Sequence, residues 1–169
     1  MDRFKQFANS WKTVGVNSKV RWQHSNTHDR FNSFLLKRLI QKLGSEAMPI
    51  IAEAGIAIGL EDGRKMCENL QLDTSTGKAC LTPLETIALL SGIDSEISAE
   101  SRNKHSATLK VKSCPFSTIF HDMSPEIRDK ACESYATGLT RAVNSSADLK
   151  INKGCCHNHK YCEFMVSVR

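Results

Sequence analysis

The sequence predicts an α+β domain: N-terminal helices packed on a C-terminal antiparallel sheet with one long inserted helix. Three observations predict it. Apolar residues recur at helical spacing from residue 29 to about residue 90. From Ala107 the period changes to two, with Ala107, Leu109 and Val111 alternating with Thr108, Lys110 and Lys112. Helices first, then strands with a helix between them, is the order of an antiparallel α+β domain.

The elements follow in order. Phe4, Phe7 and Trp11 predict a short helix within residues 1–25, a basic segment that runs to residue 28. The single domain is expected over residues 29–169. Asp29 to Leu43 reads as an amphipathic helix with Phe31, Phe34, Leu35, Leu39 and Leu43 inward, ended by Gly44. Ser45 is expected to cap the next helix, with Pro49 in its first turn. Residues 46–60 are apolar on nearly every side, which predicts a central helix, and Gly63 opens a polar continuation to Leu70. Thr82-Pro83-Leu84-Glu85 has the cap, N1 proline and capping-box glutamate of a helix start, with an end near Gly92. Residues 73–80 and 94–104 read as loops. Strands are expected over 106–112, 147–153 and 161–168, and a helix from Ser124-Pro125-Glu126 to about Asn144.

A chain of 169 residues with 40% hydrophobic content buries a sizeable core without disulfides. The apolar run from Met48 to Leu60 is too short for a bilayer core of about 30 Å. The first residues carry no apolar stretch of a signal peptide, so the expected setting is the cytoplasm. Residues 1–44 hold nine Lys/Arg against two Asp/Glu. Such a segment can touch nucleic acid or an acidic membrane, but with no recognition motif beside it a solvated helix face is the simpler account. No P-loop, dinucleotide glycine pattern, zincin motif or nucleophile elbow is present.

The chemistry concentrates at the C-terminus. Cys155, Cys156, His157, His159 and Cys162 fall within eight positions, and Cys162 shares a strand face with Phe164, Val166 and Val168. In a reducing compartment clustered cysteines point to metal or chemistry before disulfides. The same thiols can also serve as small core hydrophobes. Cys114, before Pro115, and His121 are candidates for a nucleophile and its base.

Cys114-Pro115-Phe116, Cys132-Glu133-Ser134-Tyr135-Ala136-Thr137-Gly138-Leu139, Leu149-Lys150-Ile151, Cys155 and Cys162-Glu163-Phe164 recur in an order already known. Over roughly residues 30–168 the chain resembles the small-molecule-binding domain named after the bacteriochlorophyll 4-vinyl reductase. It is also similar to the related L-2-amino-thiazoline-4-carboxylic acid hydrolase-like proteins. The resemblance implies a structural zinc held by Cys132, Cys155 and Cys162, with His157 or another neighbour as fourth ligand. The family's acidic ligand position is occupied by Asn152.

The expectation is therefore a sensor-like binding module for a small apolar or aromatic ligand, compatible with a homodimer. Its pocket is expected to be lined by Ile51, Ala54, Gly55, Ile58, Leu109 and Phe164. The alternative is a hydrolase opening a cyclic C–N bond through Cys114 and His121.

Overall fold

Helical spacing in the first half and alternation in the second give four helices and four strands among the residues that the computed structural model describes, 26–100, 103–114 and 123–169. Helix α1 is Asn26–Leu43, followed by a 3-10 turn at Gly44–Glu46 and helix α2 at Ala47–Leu70. Helix α3 is Gly77–Leu90, strand β1 Ser95–Glu100 and strand β2 Asn103–Val111. Helix α4 is Pro125–Val143, strand β3 Asp148–Lys153, and after a 3-10 turn at Cys155–His157 comes strand β4, Cys162–Ser167. The helix expected within residues 1–25 lies outside the described residues, as does His121.

The sheet is antiparallel throughout, in the order β1-β2-β4-β3. The last strand thus inserts between β2 and β3, and Phe164 lies opposite Leu109 on one side and Ile151 on the other. Helices α3 and α4 cover one sheet face. Alternation then decides burial: Cys162, Phe164 and Val166 enter the core while Met165 and Ser167 face out. Leu81 and Leu84 of α3 and Leu139 and Val143 of α4 complete that core.

Helix α2 is not central, as its all-round apolar character predicted. It lies against α4 along a seam of small residues and scarcely meets the other elements. A Cβ at Gly55 would meet Ser134, one at Gly59 would meet Gly138, and one at Gly63 would meet Ala142. Both series ascend together, so α2 and α4 run parallel. The glycines let the backbones close: a Cβ at Gly59 would collide with the Tyr135 carbonyl oxygen. Across the same seam the Tyr135 hydroxyl donates to Asp62 at 2.9 Å.

The inward face expected for α1 is also corrected, since Phe34 is 60% exposed and Leu35 58%. Gly44, at φ +57°, does not separate the two helices but tightens their junction to a 3-10 turn, and α1 packs chiefly on that turn. Ser45 lies inside the turn, and α2 has no side-chain cap. By length and composition alone Asn32–Leu70 passes as a membrane-spanning helix, longer than the run read from sequence. Its glycine face is occupied by α4.

Helix α3 begins earlier than expected, because Thr76 and not Thr82 is its cap, accepting from the Ala79 N–H at 3.2 Å. Thr82 and Pro83 stand inside the helix, where the Thr82 hydroxyl donates back to the Lys78 carbonyl. The segment 94–104, expected as loop, contains all of β1, a polar strand at the sheet edge held by pairing with β2.

Candidate functional site

A cavity of about 620 Å³ opens where α4 meets the ends of β2, β3 and β4. The strands bring Ile151, Cys162 and Phe164 to it, the segment after β2 brings Cys114, and α4 contributes Arg128, Asp129, Cys132 and Glu133. The turn after β3 supplies Cys155, Cys156, His157 and His159. The reason is topological. Strand β4 follows β3 through this turn, so the turn must cross the end of the sheet just where α4 starts.

All four residues that the resemblance assigned to zinc (Cys132, Cys155, Cys162 and His157) line this cavity, together with Cys114. They are not all directed at one point. The Cys155 N–H donates to the Cys162 sulfur at 3.2 Å, drawing these two together. His157 turns to α4 instead, with Nε2 2.5 Å from Asp129 Oδ2, and the Cys156 thiol donates to Asp129 Oδ1 at 3.1 Å. Among the described residues this Asp129–Cys156–His157 group alone brings three ligating atoms within 4.8 Å of one another. Asn152, at the acidic ligand position, donates its amide to the Met165 sulfur. Cys132, Cys155 and Cys162 thus line one cavity without bringing three ligating atoms as close together as that group.

The thiols differ electrostatically. Burial, followed by the neighbouring Cys114, Cys162, Cys156 and Asp129, holds the Cys132 thiol well above the ordinary range, and so protonated. Burial likewise raises Cys162, opposed in part by the Cys155 N–H. For Cys156, burial and then the hydrogen bond to the Asp129 carboxylate push the thiol up to about 11. Neutral thiols beside Ile151 and Phe164 make this an apolar wall. The lining also includes Lys112, Arg128, Lys153 and Lys160 against Asp129 and Glu133, with the Lys112 ammonium paired to Asp94 and that of Lys153 donating to Tyr161. Arg128 Nε is buried and has no hydrogen-bond partner among the described residues.

Of the residues expected to form the pocket, Phe164 alone lines this cavity. Leu109 is its fully buried neighbour on β2, and Ile51 is buried on α2. Gly55 faces Ser134 across the helix seam, and Ala54 and Ile58 lie on the exposed side of α2. Asp129 and Arg128 were not singled out from the sequence. The available signal was spacing: Asp129 precedes Cys132 by one helical turn and shares its face.

No family model matches the sequence, and no curated protein matches it. Among solved structures, the fold is similar to subunit 3 of the trafficking protein particle complex from Naegleria fowleri, covalently bound to palmitic acid. That likeness has a TM-score of 0.56 at 13% identity and covers 86% of this chain and 95% of that one. The phenol-responsive sensory domain of the transcription activator PoxR, with phenol, gives a TM-score of 0.48 at 13% identity over 80% of this chain and 72% of that one.

Proposed function

We propose that this chain is a small-molecule-binding domain whose ligand occupies the cavity between α4 and the strand ends. The observation that carries the reading is the cavity itself. Its volume of about 620 Å³ lies within the usual range for small-molecule sites, which are apolar with a few placed polar groups. Ile151, Phe164 and the protonated thiols suit an apolar or aromatic body. Lys160 and Arg128, whose Nε has no partner among the described residues, suit an acceptor at its other end, a carboxylate above all. Palmitic acid, bound to the trafficking subunit, is a molecule of that character on a chain of similar fold.

Medium-chain and aryl carboxylates, screened by thermal shift in chelator, test this. A binder at a hundredfold its Kd stabilises by about 2.7 kcal/mol. Ile151→Trp, which fills the cavity, is expected to abolish the shift while the fold is kept. Replacing the carboxylate by its primary amide is expected to weaken binding. No shift from any such compound sinks the reading. The hydrolase alternative rests on Cys114, which lines the same cavity. Under the binding reading Cys114→Ala retains the ligand shift, whereas ring-opening turnover lost in that variant makes the protein an enzyme.

Exposed Phe34, Leu35, Ile50 and Ile58 on α1 and α2 favour a homodimer. Sedimentation of wild type against a Phe34→Asp/Ile58→Asp variant tests it, and an unchanged monomer in both refutes it. Seven free thiols, five of which line the cavity, suit a reducing, cytoplasmic setting.

A further inference from the structure

We propose that Asp129, Cys156 and His157 form a three-ligand site for a divalent metal of the zinc class at the mouth of the cavity. The three side chains converge from two elements. Asp129 stands near the start of α4, and the adjacent Cys156 and His157 come from the 3-10 turn after β3. One carboxylate takes both: its Oδ1 receives the thiol at 3.1 Å, and its Oδ2 lies 2.5 Å from the imidazole Nε2. Tetrahedral zinc, with bonds of roughly 2.0–2.3 Å, sets its ligand atoms about 3.3–3.6 Å apart. The group is thus already near the size of a coordination shell, and all its ligating atoms lie within 4.8 Å of one another.

The backbone prepares this arrangement. The His157 N–H donates to the Gly154 carbonyl at 3.0 Å and the Asn158 N–H to the Cys155 carbonyl at 3.1 Å, closing the turn. Asn158 takes the left-handed conformation that the turn needs, at φ 63°. Gly154 is buried, and a Cβ there would meet the Cys156 sulfur at 3.0 Å and the His157 ring at 3.4 Å. Glycine at 154 leaves the space these two side chains use.

The donor set selects the metal. Sulfur, nitrogen and oxygen together suit zinc or cobalt, whereas calcium and magnesium take oxygen. Coordination displaces the thiol proton of Cys156 to solvent and requires the His157 tautomer with its proton on Nδ1, freeing Nε2. Thiolate and carboxylate then neutralise the dication. Three protein ligands leave one position open, and all three residues line the cavity. A plain His157–Asp129 ion pair would use one carboxylate oxygen and gives no reason for Cys156 to address the other. The site is distinct from Cys132, Cys155 and Cys162, and it holds whether or not the cavity takes an organic ligand.

Reduced, chelator-stripped full-length protein titrated with zinc by calorimetry, and with cobalt by absorption, tests the assignment. One ion per chain is expected, with a thiolate-to-cobalt charge-transfer band in the near ultraviolet. Cys156→Ser should remove that band. Asp129→Asn and His157→Gln should each weaken zinc binding by about tenfold or more, since even the outer partners of ligands matter at that level. Cys132→Ser and Cys155→Ser should keep both affinity and band. Asp129 and His157 side chains are 43% and 46% exposed, so their variants remain folded, as circular dichroism would verify. Absence of saturable binding would reduce the group to an ion pair and overturn the proposal. So would metal lost with Cys132→Ser or Cys155→Ser but kept in Cys156→Ser. The carboxylate screen, run in chelator, fails or succeeds separately.

Discussion

Helix α2 and strand β4 are both written largely in apolar residues, yet they use them in opposite ways. Strand β4 buries Cys162, Phe164 and Val166, and exposes what lies between them. Helix α2 leaves Ile50 45% and Ile58 55% exposed, and buries Gly59 and Gly63. In the strand, Glu163 and Ser167 mark the outer face, so one covered face settles every side chain, the apolar Met165 included. In the first half of the helix no polar face marks the outside, and the partner's shape decides. Helix α4 offers Ser134, Gly138 and Ala142, and close approach of two backbones wins over burial of isoleucines. Apolar character predicts burial where a contrasting face is present, and tight packing where small residues are spaced along it.

The largest test of this contrast sets one residue of each element side by side. Phe164→Ala leaves a void at the centre of the sheet and should cost about 3–5 kcal/mol. Ile58→Ala, on the open side of α2, should change stability by about 0.5 kcal/mol or less at a dilution where the chain is monomeric. Urea unfolding of the two variants measures both, and similar losses would break the comparison.

A second test enters the helix seam. Gly59→Val places its Cβ against the Tyr135 carbonyl and the Gly138 Cα, and backbone cannot yield as a side chain can. The expected loss is roughly 1–3 kcal/mol, with the helices forced apart. Gly55→Leu should follow the same course, because its Cβ would meet the Ser134 hydroxyl. If Gly55→Leu kept full stability and blocked ligand binding, Gly55 would line a pocket after all.

A third test uses pH. Burial, and then the Asp62 carboxylate it donates to, raise the Tyr135 phenol above its ordinary value. Burial also raises Cys132, and lifts Cys80 to about 11. A folded pKa above the unfolded one means that the folded state holds its proton longer. That contribution is complete below the unfolded pKa and is lost as pH rises through the folded one. Stability should therefore fall with rising pH from about 9 for the thiols and from about 10 for the phenol. Tyr135→Phe should cost about 1–2 kcal/mol at neutral pH, since Asp62 loses its donor, and should flatten the part of the fall above pH 10. An unchanged alkaline slope in that variant would show that Tyr135 does not hold its proton in the seam.

The same contrast explains what was legible in the sequence. Strands β2, β3 and β4 and helix α4 lie within a few residues of their expected ranges, because each pairs a covered face with a polar one. Strand β1 was not legible, since Ser95-Glu96-Ile97-Ser98-Ala99-Glu100 has little apolar periodicity and is held as an edge by backbone pairing. The start of α3 was misread because Thr82-Pro83-Leu84-Glu85 carries a start signature inside a helix that Thr76 had already begun. At the cavity, Cys132, Cys155 and Cys162 were legible as residues at one end of the sheet. The Asp129 partnership with Cys156 and His157 was not, because it depends on how closely the turn after β3 crosses the start of α4.

The smallest expected effect separates the two regions at their turns. Helix α2 ends on Gln71 at φ 50°, and the cavity turn ends on Asn158 at φ 63°. Both are left-handed, a conformation that costs an ordinary L-residue about 1–2 kcal/mol, whereas Asn visits it readily. Glycine removes that strain but makes the unfolded chain more flexible, which offsets part of the gain. Gln71→Gly should therefore stabilise by about 0.5–1 kcal/mol, because the exposed glutamine contributes little else at the end of α2. Asn158→Gly should stay within about 0.3 kcal/mol of wild type, since asparagine already suits its turn. Chemical denaturation of the pair, read as midpoint shifts at constant slope, resolves the difference. Equal gains at both turns would show that the cavity turn is as strained as the helix end, and that its sequence is not shaped to hold Cys156 and His157 in place.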